Sequence, residues 1–294
     1  MIFNPLNLDD LSGYQQWRLQ KLRAYDLSQH TKLVELPASA VSGEEVVRIA
    51  SNCQQFNYCL YRLVDPSHGN KSFVRNMGLS LGLQRLDGNL CSDEDNISSI
   101  QVKDTGRHTG YIPYTDKKLT WHTDGYYNKE SQTIRGMVLH CVRPAQSGGE
   151  NLMLDHEMAY IQLRDESPDY ISAFMQSDVL TIPPNVENGI EIRGAQGGPV
   201  FSLDSLSGRL HMRYSARTRN IEWKNDSVTN EAVACMNELL NTNNPYVISY
   251  RLQAGEGIIA NNALHTRTAF IDAELAEQKR LLYRARSYDR VRSY

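Results

Sequence analysis

At 294 residues, with 40% apolar and 22% charged side chains, the chain has the composition of an ordinary globular protein, and that length still suits a single all-β domain. A formal net charge of −3 gives no reason to expect a nucleic-acid or anionic-membrane partner, although local arginine clusters remain able to bind a small anion. The five cysteines (Cys53, Cys59, Cys91, Cys141, Cys235) are scattered, odd in number and without a CxxC pair. That pattern argues against a disulfide framework or a thiolate zinc site and fits a reducing cytosol.

From Met1 the sequence leads directly to Asp9 and Asp10 with no basic and then apolar leader, and no stretch approaches the roughly 18 apolar residues of a membrane span. The expectation is a soluble cytoplasmic protein. About the first 60 residues read as mainly helical. Ser42 followed by Glu45 has the pattern of a capping box, and Val46, Val47, Ile49, Ala50 and Cys53 continue it as a helical stripe. Polar, irregular stretches from Gly69 to about Asp116 are the candidate cover for a site. Ser167-Pro168 predicts an N-cap and first-turn proline of a short helix through about Gln176, and a further helix is predicted over Asn230–Leu240, with Val233, Met236 and Leu240 on one face.

Short β-like runs fill much of the remainder: Ile134–Val142, Asp178–Ile182, Pro199–Leu203, Arg209–Tyr214, Tyr246–Leu252, Gly257–His265 and Leu281–Tyr288. Turn residues such as Gly148-Gly149 and Gly255-Glu256-Gly257 separate them. Many short strands without βαβ alternation predict a β-sandwich, barrel or jelly roll with a helical N-terminal region, in one domain over 1–294.

The segment Trp121-His122-Thr123-Asp124-Gly125 carries the strongest chemical signal. Alternate residues of a strand share a face, so His122 and Asp124 can aim an imidazole and a carboxylate at one point. His265 supplies a second imidazole at the end of the apolar run Ile258–Leu264. Two histidines and one carboxylate are the facial ligand set of non-haem iron(II) oxygenases, which leaves three coordination positions for co-substrate and O2. A lone H-x-D is common by chance, and each histidine taken singly is as readily a surface or strand-end residue; His140 and His156 read as structural. A third element adds weight. In Lys279–Arg286, read as a strand, Arg280, Leu282, Arg284 and Arg286 share one face, and a planar guanidinium clamps a carboxylate in two-pronged fashion. Arg280 and Arg284 are read as anion ligands, and Arg286 as a solvated charge guarding a strand edge.

These pieces together resemble the TauD/TfdA family of 2-oxoglutarate-dependent dioxygenases. The likeness runs in order through Trp121–Gly125, Ser147-Gly148-Gly149-Glu150-Asn151, Asn262–Phe270 and Arg280–Arg284, with 143 residues separating the two histidines. The resemblance implies a double-stranded β-helix (jelly-roll) core with inserted segments. It further implies Fe(II) on His122, Asp124 and His265, and the distal carboxylate of 2-oxoglutarate on Arg280. Asn151 falls where the family often sets a polar side chain against that co-substrate, and Arg284 falls where several members hold an acidic group of the primary substrate. The intact Asp124 argues against a halogenase.

The expected reaction is hydroxylation of an aliphatic C–H with O2, releasing succinate and CO2. The expected substrate is a small molecule carrying a carboxylate, sulfonate or phosphonate, with Trp121, Tyr126 and Tyr127 as candidate pocket walls or core residues. Desaturation or oxidative group removal at the same site, a zinc hydrolase, and a non-catalytic jelly-roll binding protein are the alternatives, and a homo-oligomer is allowed.

Overall fold

A computed structural model describes residues 3–26, 32–37, 43–88, 92–103, 111–241 and 243–292. In chain order, the elements used below are α1 (Leu11–Asp26), β1 (Leu33–Leu36), α2 (Gly43–Phe56), β2 (Tyr58–Leu63), α3 (Lys71–Ser80), β3 (Ile97–Ile100), β4 (Leu119–His122), β5 (Gly136–Arg143) and β6 (Asn151–Leu154). They continue as α4 (His156–Glu166), α5 (Pro168–Phe174), α6 (Ser227–Asn241), β7 (Ile248–Tyr250), β8 (Glu256–Ala260), β9 (Leu264–Arg267) and β10 (Leu281–Ser287). The chain forms two compact units, one of Met1–Leu27, Thr120–Thr133 and Leu154–Val247, the other of Ser28–Leu119, Ile134–Met153 and Ile248–Tyr294.

The first unit is largely helical. On α1, Tyr14, Arg18, Lys21 and Tyr25 recur at helical spacing, and the first three meet acids of the α4 segment. The Tyr14 hydroxyl donates to Asp165 (2.7 Å), Arg18 pairs with Asp165 (2.7 Å), and buried Lys21 lies between Asp155 (2.6 Å) and Glu157 (2.5 Å). Arg164 stacks over the Tyr14 ring at 3.9 Å. This polar seam explains why no apolar stripe announced α1 or α4. The short helix read from Ser167-Pro168 is α5, whose Ser167 side chain accepts from the Asp169 N–H at 3.2 Å. The predicted Asn230–Leu240 helix is α6. It starts slightly earlier because Asp226 accepts from the Thr229 N–H (2.8 Å), and it buries Thr229, Ala232, Met236 and Leu240.

The second unit is built on a six-stranded sheet in the order β1-β2-β8-β5-β10-β3, with β1 parallel to β2 and the other pairs antiparallel. On one face α2 and α3 bury Val46, Ile49, Cys53, Phe73, Val74 and Met77 against the sheet. The N-terminal region thus carries α1 and α2 as read, and also two strands that the helical reading overlooked. The Ser42 cap lies outside the described residues. The stretch from Gly69 opens as helix α3, capped by Asn70 accepting from the Phe73 N–H, with Phe73 and Met77 in the core. Its first part is therefore core rather than cover.

The run read as one strand over Gly257–His265 is two. Asn262 takes a left-handed φ of 52°, its amide donates to the Ile134 carbonyl (2.7 Å), and Asn261 donates to the Cys53 carbonyl (2.9 Å). The break sends β8 into the large sheet and β9 into a second sheet, where β7, β6 and β9 lie in that order. The Gly148-Gly149 turn, at φ of 71° and 77°, folds against Phe270; a Cβ on Gly148 would sit 2.4 Å from the Ala269 carbonyl oxygen.

Candidate metal and co-substrate site

The end of β4 is held rigid by its neighbour segment. Thr123 N–H donates to the Tyr214 carbonyl (3.0 Å), Tyr214 N–H returns to the Thr123 hydroxyl (3.1 Å), and Ala216 N–H donates to the Trp121 carbonyl (2.8 Å). The alternation turns Thr123 inward, while His122 and Asp124 share the other face; Asp124 is buried, and Gly125 turns the chain away at φ 68°. His122 directs Nδ1 at the Thr120 carbonyl oxygen (2.8 Å), and His265, the second residue of β9, directs Nδ1 at the Ala263 carbonyl oxygen (2.9 Å). Both bonds put the ring proton on Nδ1 and leave Nε2 as the basic nitrogen, the one able to bind a metal. His122, Asp124 and His265 each offer one ligand atom and form the candidate ligand set. Two imidazoles and a carboxylate as donors fit a divalent iron.

Arg280 lies just before β10, is 5% exposed and lines a pocket with Cys141, Gly149, Asn151, Arg251 and Leu282. Its backbone N–H donates to Asp272 (2.6 Å), and its guanidinium lies 4.9 Å from the Phe270 ring centre. Among the described residues no carboxylate comes within ion-pair distance of that guanidinium. Burial pushes it down to about 10, still far above neutrality. A buried cation lacking a counter-ion calls for an anionic ligand. Asn151 opens β6 and lines the same pocket. Arg251 was not read from the sequence. Its side chain donates to the Ala145 (2.5 Å) and Gln146 (3.0 Å) carbonyls, and its only sequence signal is its place just after a short strand.

The other arginines of the motif divide differently from expectation. A bulge at Leu281/Leu282 starts the regular pleat of β10, after which Arg284 shares a face with Leu282 and Arg286 and is half-buried. Arg286 is not a solvated edge charge: β10 is an interior strand, and Arg286 is 3% exposed and paired with buried Asp87. Trp121 is not a pocket wall either. It points opposite to His122, is buried, and donates its indole N–H to the Leu240 carbonyl at the end of α6 (3.2 Å). Tyr126 does neighbour a candidate ligand, edge-on to the His122 ring at 6.4 Å, with Tyr127 edge-on behind it at 5.1 Å. His140 and His156 are structural: His140 bonds the Tyr61 hydroxyl (3.0 Å), and His156 the Leu210 carbonyl (3.1 Å).

The chain belongs to the TauD/TfdA family: the profile described as "Taurine catabolism dioxygenase TauD, TfdA family" matches residues 64–286. Its fold is shared with asparagine oxygenase solved with Fe(II), 3-hydroxyasparagine and succinate (TM-score 0.58, 16% identity, 92% of this chain and 90% of that one). It is shared also with PvcB, an iron, α-ketoglutarate-dependent oxygenase (TM-score 0.53, 12% identity, 83% and 80%). A mainly β, jelly-roll oxygenase fold with helices is thereby established. Among characterised proteins the chain is similar to uridine-5'-phosphate dioxygenases of Amycolatopsis sp (33% identical over 122 residues) and Streptomyces sp (29% over 126). Those matches span 40% of this chain and 40% of the first relative, and 42% of each for the second.

Proposed function

We propose that the protein is an Fe(II)- and 2-oxoglutarate-dependent oxygenase that hydroxylates an aliphatic C–H of a small anionic substrate. The single observation that carries this reading is the donor set itself: His122 and Asp124 on one face of the β4 end, and His122 and His265 each with Nδ1 tied to a backbone carbonyl so that Nε2 is left to bind a metal. The unpaired cation Arg280 supports the co-substrate half. When bound, iron with 2-oxoglutarate supplies the oxidant: one atom of O2 enters succinate, the other enters the substrate, and C1 of the co-substrate leaves as CO2. The protein's part is geometric and electrostatic. The Thr120 and Ala263 carbonyls set the histidine tautomers, and Arg280 with Asn151 fixes the far end of 2-oxoglutarate. Tyr126 lies beside the His122 ring, where a substrate would approach, and Arg284 is the motif's candidate for the substrate anion. The similarity to uridine-5'-phosphate dioxygenases favours a phosphate ester as that anion over a carboxylate or sulfonate.

No described helix is long and apolar enough to cross a membrane, and the four described cysteines are free thiols; we assign the reaction to the cytosol on the latter ground.

The test is an anaerobic titration of the apoprotein with iron(II) and then 2-oxoglutarate, following the visible charge-transfer band of the chelate. The expected outcome is a band in the wild type, none in His122→Ala or Asp124→Ala, and a weaker co-substrate affinity by about tenfold or more in Arg280→Ala. Tight metal binding without a band would instead favour a zinc site or a non-catalytic binding protein.

A further inference from the structure

The segment Arg213–Arg219 carries three arginines in seven residues, and their surroundings separate them. Arg213 is consumed by the fold: it donates to the carbonyls of Tyr126 (2.7 Å), Leu180 (2.9 Å) and Gln196 (2.7 Å). Arg217 is different. Its guanidinium makes one hydrogen bond among the described residues, from Nη1 to the Tyr126 hydroxyl at 3.2 Å, and it has no ion pair. Partly exposed, it keeps its remaining N–H groups for water or a ligand. Tyr126 is 9% exposed, and its hydroxyl, having accepted from Arg217, finds no acceptor for its own proton among the described residues. A buried phenol with an idle donor is costly unless something accepts from it. The same ring stands edge-on to His122.

A phenol proton and a guanidinium fork joined by their mutual hydrogen bond, one ring away from a metal-ligand imidazole, make a two-donor cradle for an oxyanion. We propose that Tyr126 and Arg217 anchor the anionic group of the primary substrate, and that this group is a phosphate monoester. The inference rests on the reading of His122 as an iron ligand. Charge balance selects the phosphate. A monoester carries about −1.5 to −2 at neutral pH and three acceptor oxygens, roughly half a charge to one charge more than a carboxylate or sulfonate. Two residues on, Arg219 is exposed and likewise lacks an ion pair among the described residues, so a second positive charge is at hand for the second negative one. The anchor thus differs from Arg284, which the motif alone would nominate.

The experiment is isothermal titration of the anaerobic protein, loaded with iron(II) and 2-oxoglutarate, with uridine 5'-phosphate and with uridine as probes. In the wild type the phosphate ester binds at least about tenfold more tightly than the nucleoside. In Arg217→Gln that preference disappears. In Tyr126→Phe, which keeps the ring against His122, it falls by several-fold. In Arg284→Lys it persists. The charge-transfer band recorded on the same samples reports the metal and co-substrate site separately, so a wild type without the band fails the iron reading on which this one rests, whereas a band with no phosphate preference fails this proposal alone. Equal binding of the two probes by the wild type, or wild-type preference in Arg217→Gln, overturns the proposal.

Discussion

The shared face of His122 and Asp124 was legible because it depends on strand alternation, which is written in the sequence. The same alternation also tells against Trp121: a residue adjacent to a ligand in an extended segment faces the other way, and Trp121 accordingly bonds α6. The arginines were harder, since a guanidinium looks alike in sequence whether it meets a carboxylate, a row of carbonyls or nothing. Arg286 meets Asp87, Arg213 meets carbonyls, and Arg280 and Arg217 lack an acidic partner among the described residues. Gly257 is a second residue whose reason only packing reveals. It was read as part of a turn, yet the turn needs Gly255, at φ 83°, while Gly257 lies within β8 beneath the Tyr61 ring. A Cβ there would sit 2.3 Å from Tyr61 Cζ and 2.4 Å from the Leu139 carbonyl oxygen. Because one of those atoms is backbone of the neighbouring strand, the clash has no cheap relief. Gly257→Ala is expected to cost about 3 kcal/mol or more in urea unfolding; a loss below 1 kcal/mol would show that the Tyr61 ring yields.

Among the elements, α5 with its Ser167-Pro168 start and α6 were read correctly, whereas α3, capped by Asn70, and α4, held in a polar seam, were not. Helix α4 carries Glu157 and Arg164 on buried positions, which no apolar period discloses, and the β8–β9 boundary is set by two asparagine side chains inside an otherwise apolar run. Strand β10 shows the same principle at its C-terminal end. Its Arg286 is paired with Asp87, whose other oxygen accepts from the Tyr288 hydroxyl (2.6 Å), and the Asp87 N–H donates to the Arg286 carbonyl (2.8 Å). The strand is thus stapled to the preceding loop through a buried ion pair. Removing one partner strands a desolvated charge, whereas replacing both removes the penalty with the attraction. Asp87→Leu should therefore lose about 3–5 kcal/mol, and the double variant Asp87→Leu/Arg286→Met should recover more than half of it in the same denaturation assay. A double variant no better than the single one would mean that Arg286 serves the fold through other contacts.

For the molecule as a whole, acid stability is governed by which buried groups must take up a proton only after unfolding. His140 is one such group. It is fully buried on β5, stacks on Tyr61 at 5.9 Å, and touches Gly69 so closely that a Cβ there would lie 2.1 Å from its Nε2. Burial pulls its pKa down from 6.5 to about 4. In the unfolded chain the imidazole binds a proton below 6.5, whereas in the folded chain it stays neutral until about 4. Between those values the unfolded state holds more protons, so stability falls as pH falls, by up to about 1.4 kcal/mol per unit, and levels off below the folded pKa. Asp93 and Asp289, whose carboxyls are held below their ordinary value of 3.8, lose their contribution in the same direction but only at lower pH. The window from 6.5 to about 4 therefore separates the histidine from the carboxylates. The chain has eight histidines, so the wild-type curve alone cannot isolate one. The difference between wild type and His140→Gln can. Gln keeps a polar side chain near the Tyr61 hydroxyl and does not titrate, so the variant starts less stable at pH 7.5 and the gap narrows by about 1.6 kcal/mol on moving from pH 6.5 to pH 5. Urea unfolding of both proteins across that range measures the gap directly. A gap that stays constant would mean that the folded protein already admits a proton to His140, and that acid sensitivity arises elsewhere in the chain.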